Sequence, residues 1–575
     1  MIMATHGVVS SGHYLATGIG IDILRRGGNA MDAAAAVGFA LTVTKPHQNG
    51  ICGEVPMLIY SARDRHVSAL SGHGVAPAAA TLKRFKEMGV TIIPGDGFLP
   101  AVVPPAVASW ILLLERFGTM RLADVLSPAV DLAENGFPMY DHLCSSITAS
   151  ADRFRREWPS SAANWLVSNE PPRSGAVFKQ GDWGATMKRL IKAEGRHKQR
   201  LKGLRAAYDE FYRGWIAERI VEFAGKTEIL DASGKAHAGL LTVDDFARYK
   251  PKVEEPVTAT YRGIDVHKCS SWTQGPVLLQ ALNTLEYFDL ASMGHNSADY
   301  IHTIVECAKL AYADREFFYG DPDFVEMPWD RLLCKDYAHE RRGLVDPRTA
   351  SMLLRPGGMP HVKALSVADV NAVFEKGKAH VSDTTKLEVI DAAGNMVSAT
   401  PSGGWLPSSP VIPGLGFPLG TRGQMFSLVE GHPNALAPGK RPRSTLTPSM
   451  ATRGNEPWLV FGSPGGDAQD QWALQFFLNV VEFGMSLQEA VEAPTFWTNH
   501  FPSSFYPRKA EPGSLHIEGR IGAPVRDELA SRGHLVDTAG EWAGGNTLAA
   551  SIDRKAGVLC AAASPRLEPA YADGF

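Results

Sequence analysis

The sequence lacks the marks of several protein classes. Its six cysteines are scattered without CxxC spacing, which argues against a structural zinc site or a disulfide framework and suits a reducing compartment. It contains no apolar run of about 18 residues that would span a bilayer. The first residues, Met1–Gly7, have neither a basic start nor a long apolar core, so we predict no secretory signal and a cytoplasmic location.

Neither sign of charge is in marked excess. With 57 Lys and Arg against 61 Asp and Glu, the formal net charge is -4 and no basic stripe is present, so neither nucleic acid nor a membrane is a predicted partner. The GxSxG, HExxH, Walker and dinucleotide-binding motifs are also missing. Nothing in the sequence predicts a metal ion or a cofactor.

The remaining composition is that of one large globular protein. Of the 575 residues, 45% are hydrophobic and 21% are charged, which are ordinary values. No repeat, low-complexity tract or linker divides the chain, so one interwoven fold is favoured over a string of domains. Within it we predict a buried small-residue helix at Ala30–Thr44, one strand at Val257–Val266 and a surface excursion at Trp158–Gly184.

A predicted β-hairpin brings two hydroxyl groups together. Polar and apolar residues alternate over 386–389, and turn-forming residues follow at 391–395. If Ile390 pairs with Met396, the register places Ser402 opposite Thr384, at the open end of the hairpin. Strand hydroxyls usually just bond each other across a ladder, so the spacing alone does not establish a catalytic role.

A glycine-rich turn is predicted between a strand at Trp458–Phe461 and a helix at Ala468–Phe483. Its sequence is Gly462-Ser-Pro-Gly465-Gly466-Asp467. A strand, a Gly-Gly turn and a helix start can aim free backbone N–H groups at an anion. The alternative is that Pro-Gly-Gly simply forms a tight turn.

Five segments in order resemble the γ-glutamyltranspeptidase family of N-terminal-nucleophile hydrolases, and the resemblance covers nearly the whole chain. The segments are Gly27–Ala34, Ala311–Arg315 with Gly320–Phe324, Asp383–Thr385 with Asp391–Asn395, Lys440–Thr445 and Gly462–Gly466. The resemblance implies an α+β fold, a four-layer αββα sandwich. It also implies an enzyme that acts on the C–N bond of an amide and is made as a precursor that cuts itself.

The implied cleavage falls between Asp383 and Thr384. It would give fragments 1–383 and 384–575, which stay together in one fold. Cutting frees an α-amino group on the residue that carries the nucleophilic hydroxyl, and such an amine, with an ordinary pKa of about 7.7–8.0, is a base suited to neutral pH. The resemblance makes Ser402 the residue that orients Thr384. It also assigns the oxyanion to the backbone N–H groups of the glycines at 465 and 466.

The sequence departs from the family where the γ-glutamyl group is bound. In the family an arginine clamps the α-carboxylate, and its nearest counterpart here is His73. The acidic residue that holds the α-amine belongs to a Gln-Met-Asp-Asp segment, which appears here as Gln424-Met-Phe-Ser427. The asparagine that also helps to bind glutamate falls at Gly404. An α-amino acid head would leave its charges unpaired at these positions.

Arg443, Ser444 and Thr445 remain from the family's binding segment. Arg443 could bind a carboxylate through two parallel hydrogen bonds, or it could be a surface ion-pair partner. The first hypothesis is therefore an autoprocessed amidohydrolase or acylase that acts on a small amide with an acidic acyl part. A γ-glutamyl hydrolase or transpeptidase with a rearranged pocket and a non-catalytic binding protein of the same fold stay open. So do water or an amine as acyl acceptor, and a homodimer.

Overall fold

In the computed structural model the described residues are 1–357, 365–366 (backbone only), 384–566 and 569–575. Asp383, on one side of the predicted cleavage, lies outside them. Two seven-stranded sheets pack face to face, with helices on both outer faces. This confirms the four-layer αββα sandwich.

Both large sheets combine strands from before and after position 384. Across the first sheet the order is Ile2–Ala4, Val558–Ala563, Leu548–Asp553, Glu456–Gly462, Ser449–Arg453, Ile264–Lys268 and Val257–Tyr261. Across the second it is Tyr571–Gly574, Gly7–Ser11, Leu387–Asp391, Met396–Ala399, Met57–Ser61, His66–Leu70 and Val253–Glu254. All pairings within these two sheets are antiparallel.

Smaller sheets lie at the periphery. Three strands form one of them, at Phe496–Trp497, Ser514–Glu518 and Leu535–Ala539, and the last two of these run parallel. The two-stranded pairs are Phe137–Pro138 with Val177–Phe178, Ile229–Leu230 with Ala236–His237, and Leu353–Leu354 with Leu365–Ser366.

Helices cover the outer faces of the two large sheets. In the first half of the chain the described α-helices are Tyr14–Arg25, Ala30–Thr44, Leu82–Glu87, Ala106–Phe117, Leu122–Asn135, Asp141–Arg156, Pro159–Trp165, Gly181–Gly195, Arg200–Tyr212, Trp215–Lys226, Val243–Arg248 and Pro276–Leu285. The later ones are Leu290–Met293, Ala298–Phe318, Trp329–Leu332, Lys335–Arg342, Gln469–Val481, Leu487–Glu492 and Ala523–Ser531. Short 3-10 helices lie at Arg422–Met425 and Gly466–Ala468.

Three apolar clusters correspond to the three interfaces between the four layers. One joins the second sheet to the helices outside it, including Ala30–Thr44, and another joins the first sheet to Pro276–Leu285, Ala298–Phe318 and Gln469–Val481. The third lies between the sheets, where side chains such as Leu58 and Val460 are fully buried. Since hydrophobic burial is the main favourable term in folding, these interfaces hold the site in place.

The predicted helix Ala30–Thr44 is confirmed, and every one of its residues is buried. Asn29 caps it, because its side chain accepts hydrogen bonds from the backbone of Met31 and Asp32. The carboxylate of Asp391, at the end of the central hairpin, accepts a 2.8 Å hydrogen bond from the backbone N–H of Ala30. The helix N-terminus is thereby tied to the hairpin.

Two predictions about single segments were wrong. Val257–Val266 is not one strand, because Arg262 and Gly263 take positive φ and reverse the chain into a hairpin. The segment from Trp158 to Gly184 is not a surface excursion throughout, since Trp158 and other tryptophans within it anchor it in the core. No described helix is both long and apolar enough to cross a membrane.

Candidate active site

The central hairpin has the predicted register. Ile390 pairs with Met396, and the ladder continues to Leu387 opposite Ala399. An isolated antiparallel bridge then joins Thr384 to Ser402. The hydroxyl of Thr384 donates to the hydroxyl of Ser402 over 3.1 Å, and their residues are 1% and 0% exposed.

The backbone of Ser402 is fixed by the segment that contains Glu54. The Glu54 N–H donates to the Ser402 carbonyl over 2.7 Å, and the Ser402 N–H donates back over 3.0 Å. Gly53 must be glycine here, because a Cβ atom at this residue would lie 2.2 Å from the Ser402 carbonyl oxygen. Ser402 is therefore held on one side by Gly53 and Glu54 and faces Thr384 on the other.

Beside this bridge lies a buried ion pair that joins Glu54 to Arg422. The Nε of Arg422 donates to Oε2 of Glu54 over 2.6 Å, and the guanidinium lies over the ring of Trp405, 5.3 Å from its centroid. Nη2 of Arg422 and Oε1 of Glu54 have no hydrogen-bond partner among the described residues. A donor and an acceptor are thus available next to Ser402.

The glycine-rich turn has positive φ at both glycines, as either an anion-binding turn or a simple tight turn would. Gly465 and Gly466 have φ of 125° and 56°, in the region that favours glycine. Within the described part of the chain, neither backbone N–H donates a hydrogen bond to another residue. A Cβ atom at Gly465 would lie 2.2 Å from the ring of Trp472, so a side chain there would displace the turn.

A buried charge network connects the strand after Thr384 to the start of this turn. Nζ of Lys386 lies 2.6 Å from Oε1 of Glu388, and a second buried pair joins Lys268 to Asp470 at 3.0 Å. The Lys386 side chain packs so closely on Gly462 that a Cβ atom there would lie 2.3 Å from Cε. Burial raises the pKa of Glu388 to about 7, although Lys386 opposes this shift.

The predicted binding residues His73 and Ser444 lie in direct contact. Nε2 of His73 is 2.9 Å from the hydroxyl of Ser444. Burial, reinforced by Arg422 and Arg441, lowers the pKa of His73 well below its ordinary value, so the ring is neutral at neutral pH. His73 therefore does not replace the family's clamping cation. Nδ1 of His73 and the hydroxyl of Thr445 have no hydrogen-bond partner among the described residues.

Gln424 and Arg443 both make contacts inside the protein. The Gln424 amide donates to the Gly95 carbonyl over 3.1 Å and accepts from the Tyr506 N–H over 3.1 Å. Arg443 is buried, and its Nη2 lies 2.8 Å from Oε1 of Glu316. The surface ion pair considered for Arg443 is therefore wrong.

Sequence reasoning missed three charged residues of this region, namely Glu54, Arg422 and Arg508. Glu54 and Arg422 are 368 positions apart and meet only in the fold. A usable signal was present for Glu54 and Arg422, because each lies in a stretch rich in glycine and apolar residues where an unpaired charge would be costly. That signal predicts some partner but does not identify which one.

Known proteins resemble this chain over almost its whole length. The sequence model of the family described as gamma-glutamyltranspeptidase matches residues 16–573. The Acylase ACY 1 proenzyme of Pseudomonas sp. (strain SE83) is 34% identical over 576 residues, which cover 98% of this chain and 93% of the relative. The Glutathione hydrolase proenzyme of Escherichia coli (strain K12) is 32% identical over 547 residues, 91% of this chain and 86% of the relative.

Solved structures agree with these relatives. The structure of LmbA2991T421A superposes on this chain with a TM-score of 0.95 at 43% identity. The match covers 100% of this chain and 99% of the LmbA2991T421A chain. Cephalosporin acylase from Bacillus halodurans gives a TM-score of 0.84 at 29% identity, with 100% of this chain and 96% of its own covered. The fold is therefore that of an N-terminal-nucleophile hydrolase.

The chain belongs to the gamma-glutamyltranspeptidase family. It is accordingly an enzyme of the class that hydrolyses or transfers across amide bonds, and its relatives carry names of acylases and glutathione hydrolases.

Proposed function

We propose that the protein is an amidohydrolase or acylase that cleaves itself before Thr384 and then hydrolyses a small amide through an acyl-enzyme on that residue. The observation that carries the proposal is the 3.1 Å contact between the hydroxyls of Thr384 and Ser402, buried at the open end of the hairpin. That geometry supplies a nucleophile together with a group that orients it.

In the proposed first step the Thr384 oxygen attacks the amide carbon, and its proton passes to the α-amine that self-cleavage freed. The tetrahedral oxyanion accepts hydrogen bonds from the backbone N–H groups of Gly465 and Gly466, each worth roughly 3 kcal/mol in other enzymes. The protonated amine then gives its proton to the leaving nitrogen as the C–N bond breaks. Water, or an acceptor amine, attacks the ester in the same way and releases Thr384.

Two measurements test this proposal. The purified protein should run on a denaturing gel as two bands of about two-thirds and one-third of 62.1 kDa, and sequencing should find a new amino terminus at position 384. Thr384→Ala should abolish both processing and turnover of small amides and acyl-lactams. Thr384→Ser, which keeps a hydroxyl, is the matched control and should retain part of each activity.

A single band near 62.1 kDa in active protein would contradict the proposal. A single band in protein that binds amides without cleaving them would instead support the non-catalytic alternative. Protein fractionated from cells under native conditions should be found in the cytoplasm, as the sequence predicts.

A second candidate is γ-glutamyl hydrolysis or transfer, and the Arg422–Glu54 pair favours it. The pair offers beside Ser402 one donor and one acceptor that have no hydrogen-bond partner among the described residues. These are the groups that a carboxylate and an ammonium on one carbon would need. Turnover of γ-glutamyl-p-nitroanilide at a rate above that of simple acyl anilides would favour this candidate over the first.

A further inference from the structure

We propose that Arg508, together with Arg443, forms a binding subsite for a carboxylate on the acyl part of the substrate. This inference rests on the proposed function, since it names the chemical class of the acyl group that would reach Thr384. Arg508 was not among the residues singled out from the sequence.

Three buried arginines surround two carboxylates in this part of the fold. Arg315 and Arg443 both approach the same oxygen of Glu316, each at 2.8 Å. Arg315 also pairs with Asp467, the residue that follows the Gly465–Gly466 turn. Glu316 is therefore already paired with Arg315 and Arg443, and Asp467 is already paired with Arg315.

Arg508 forms no ion pair with a carboxylate in the described part of the chain. Its guanidinium donates to the backbone carbonyls of Met425 and Gln424, and no described carboxylate forms an ion pair with it. The Nε–H groups of Arg508 and Arg443 both lack a hydrogen-bond partner among the described residues. Both arginines are buried, since Arg508 is 5% exposed and Arg443 is 1% exposed.

Counted over the described residues, the cluster therefore holds an excess of one positive charge. Arg315, Arg443 and Arg508 contribute three, and Glu316 and Asp467 remove two. The neighbouring His432 adds none at neutral pH, because burial lowers its pKa to about 4. Burying an unbalanced charge is costly, and a bound carboxylate would offset that cost with charge-assisted hydrogen bonds.

The cluster adjoins the glycine turn that we propose holds the oxyanion, because Asp467 directly follows Gly466. Phe505 packs against Gly466, and the Arg508 N–H donates to the Phe505 carbonyl. The side chains of Glu316 and Asp467 are 17% and 12% exposed, so the cluster borders solvent instead of being sealed in the core. Arg443 directly precedes Ser444, which contacts His73.

The test compares matched pairs of substrates. Monoanilides of the dicarboxylic acids from succinic to adipic acid are assayed beside the same compounds with the free carboxylate replaced by a carboxamide. For at least one chain length the wild-type protein should prefer the carboxylate by about tenfold or more in kcat/KM, the scale expected when a buried charged group loses its partner.

Arg508→Gln should reduce this preference to about threefold or less. Arg508→Lys keeps the charge and should retain most of the preference. Lys509→Gln removes a positive charge from the exposed neighbouring residue and controls for long-range electrostatics; it should leave the preference unchanged. Processing at position 384 and the thermal midpoint report whether each variant is folded.

Two results would overturn the inference. One is a wild-type protein that favours the carboxamide, or neither form, at every chain length, and this result needs no variant. The other is an Arg508→Gln protein that keeps the wild-type preference. Either would leave the proposed function intact as long as an amino terminus at position 384 and turnover of some anilide are found. Loss of both would instead refute the function itself.

Discussion

Lys386 and Glu388 form an ion pair that is completely buried two residues from Thr384, with Nζ and Oε1 2.6 Å apart. Burial raises the pKa of Glu388 from 4.5 to about 7. Between these pH values the folded protein holds a proton on Glu388 that the unfolded chain has lost. The free energy of unfolding must therefore fall as pH rises from about 4.5 to about 7, as far as this group is concerned.

Glu388→Gln should remove that dependence. We expect the thermal midpoint of the variant to change less between pH 4.5 and pH 7 than that of the wild type, since glutamine does not titrate. Differential scanning calorimetry at a fixed scan rate measures it. A variant with an unchanged pH profile would show that Glu388 is not the titrating group.

Ser402→Ala should lower kcat by about 10- to 100-fold, because it removes the hydroxyl that accepts from Thr384. Processing before Thr384 should slow as well. Ser402→Thr keeps the hydroxyl and serves as the control. Steady-state kinetics and a time course on denaturing gels give both readouts, and wild-type kinetics in Ser402→Ala would exclude a role for this hydroxyl.

Gly465→Ala should reduce kcat by about 100-fold or more, the usual scale for loss of an oxyanion donor. The added methyl group would meet the Trp472 ring and displace the turn. Gly484→Ala is the matched control, since Gly484 also has positive φ but open space around its α-carbon. Equal losses in the two variants would point to backbone strain and not to the oxyanion.

Substitutions at Arg422 and Glu54 should have strongly non-additive effects on the free energy of unfolding. Arg422→Met leaves Glu54 buried without its partner, so we expect a loss of about 3–5 kcal/mol. The double variant Arg422→Met with Glu54→Gln should recover much of that loss, because no unpaired charge remains. A double-mutant cycle in denaturant measures the coupling, and simple additivity of the two single changes would contradict it.

The sequence predicted best those features that are formed by residues close together in the chain. The register that sets Thr384 opposite Ser402 follows from pairing Ile390 with Met396 across one short turn, and the structure confirms it. The glycine turn was also predictable, because positive φ selects glycine.

Long-range pairings could not be predicted in the same way. Arg422 meets Glu54 and Arg443 meets Glu316 only in the folded chain, because the partners are far apart in the sequence. Whether an arginine is exposed, paired or in excess depends on which distant carboxylate the fold delivers to it, and periodicity carries no information about that. The error at Val257–Val266 has a local cause, since two residues with positive φ split the predicted strand.

Both large sheets combine strands from before and after position 384, and this limits how the two fragments can be separated. Strands from residues after 384 occupy the middle of the first sheet, and the central hairpin sits between Gly7–Ser11 and Met57–Ser61 in the second. Neither piece of a chain cut before Thr384 would contain a complete seven-stranded sheet. Separating the pieces would therefore require melting both sheets, and pieces made apart would have to fold around one another to regain a working enzyme.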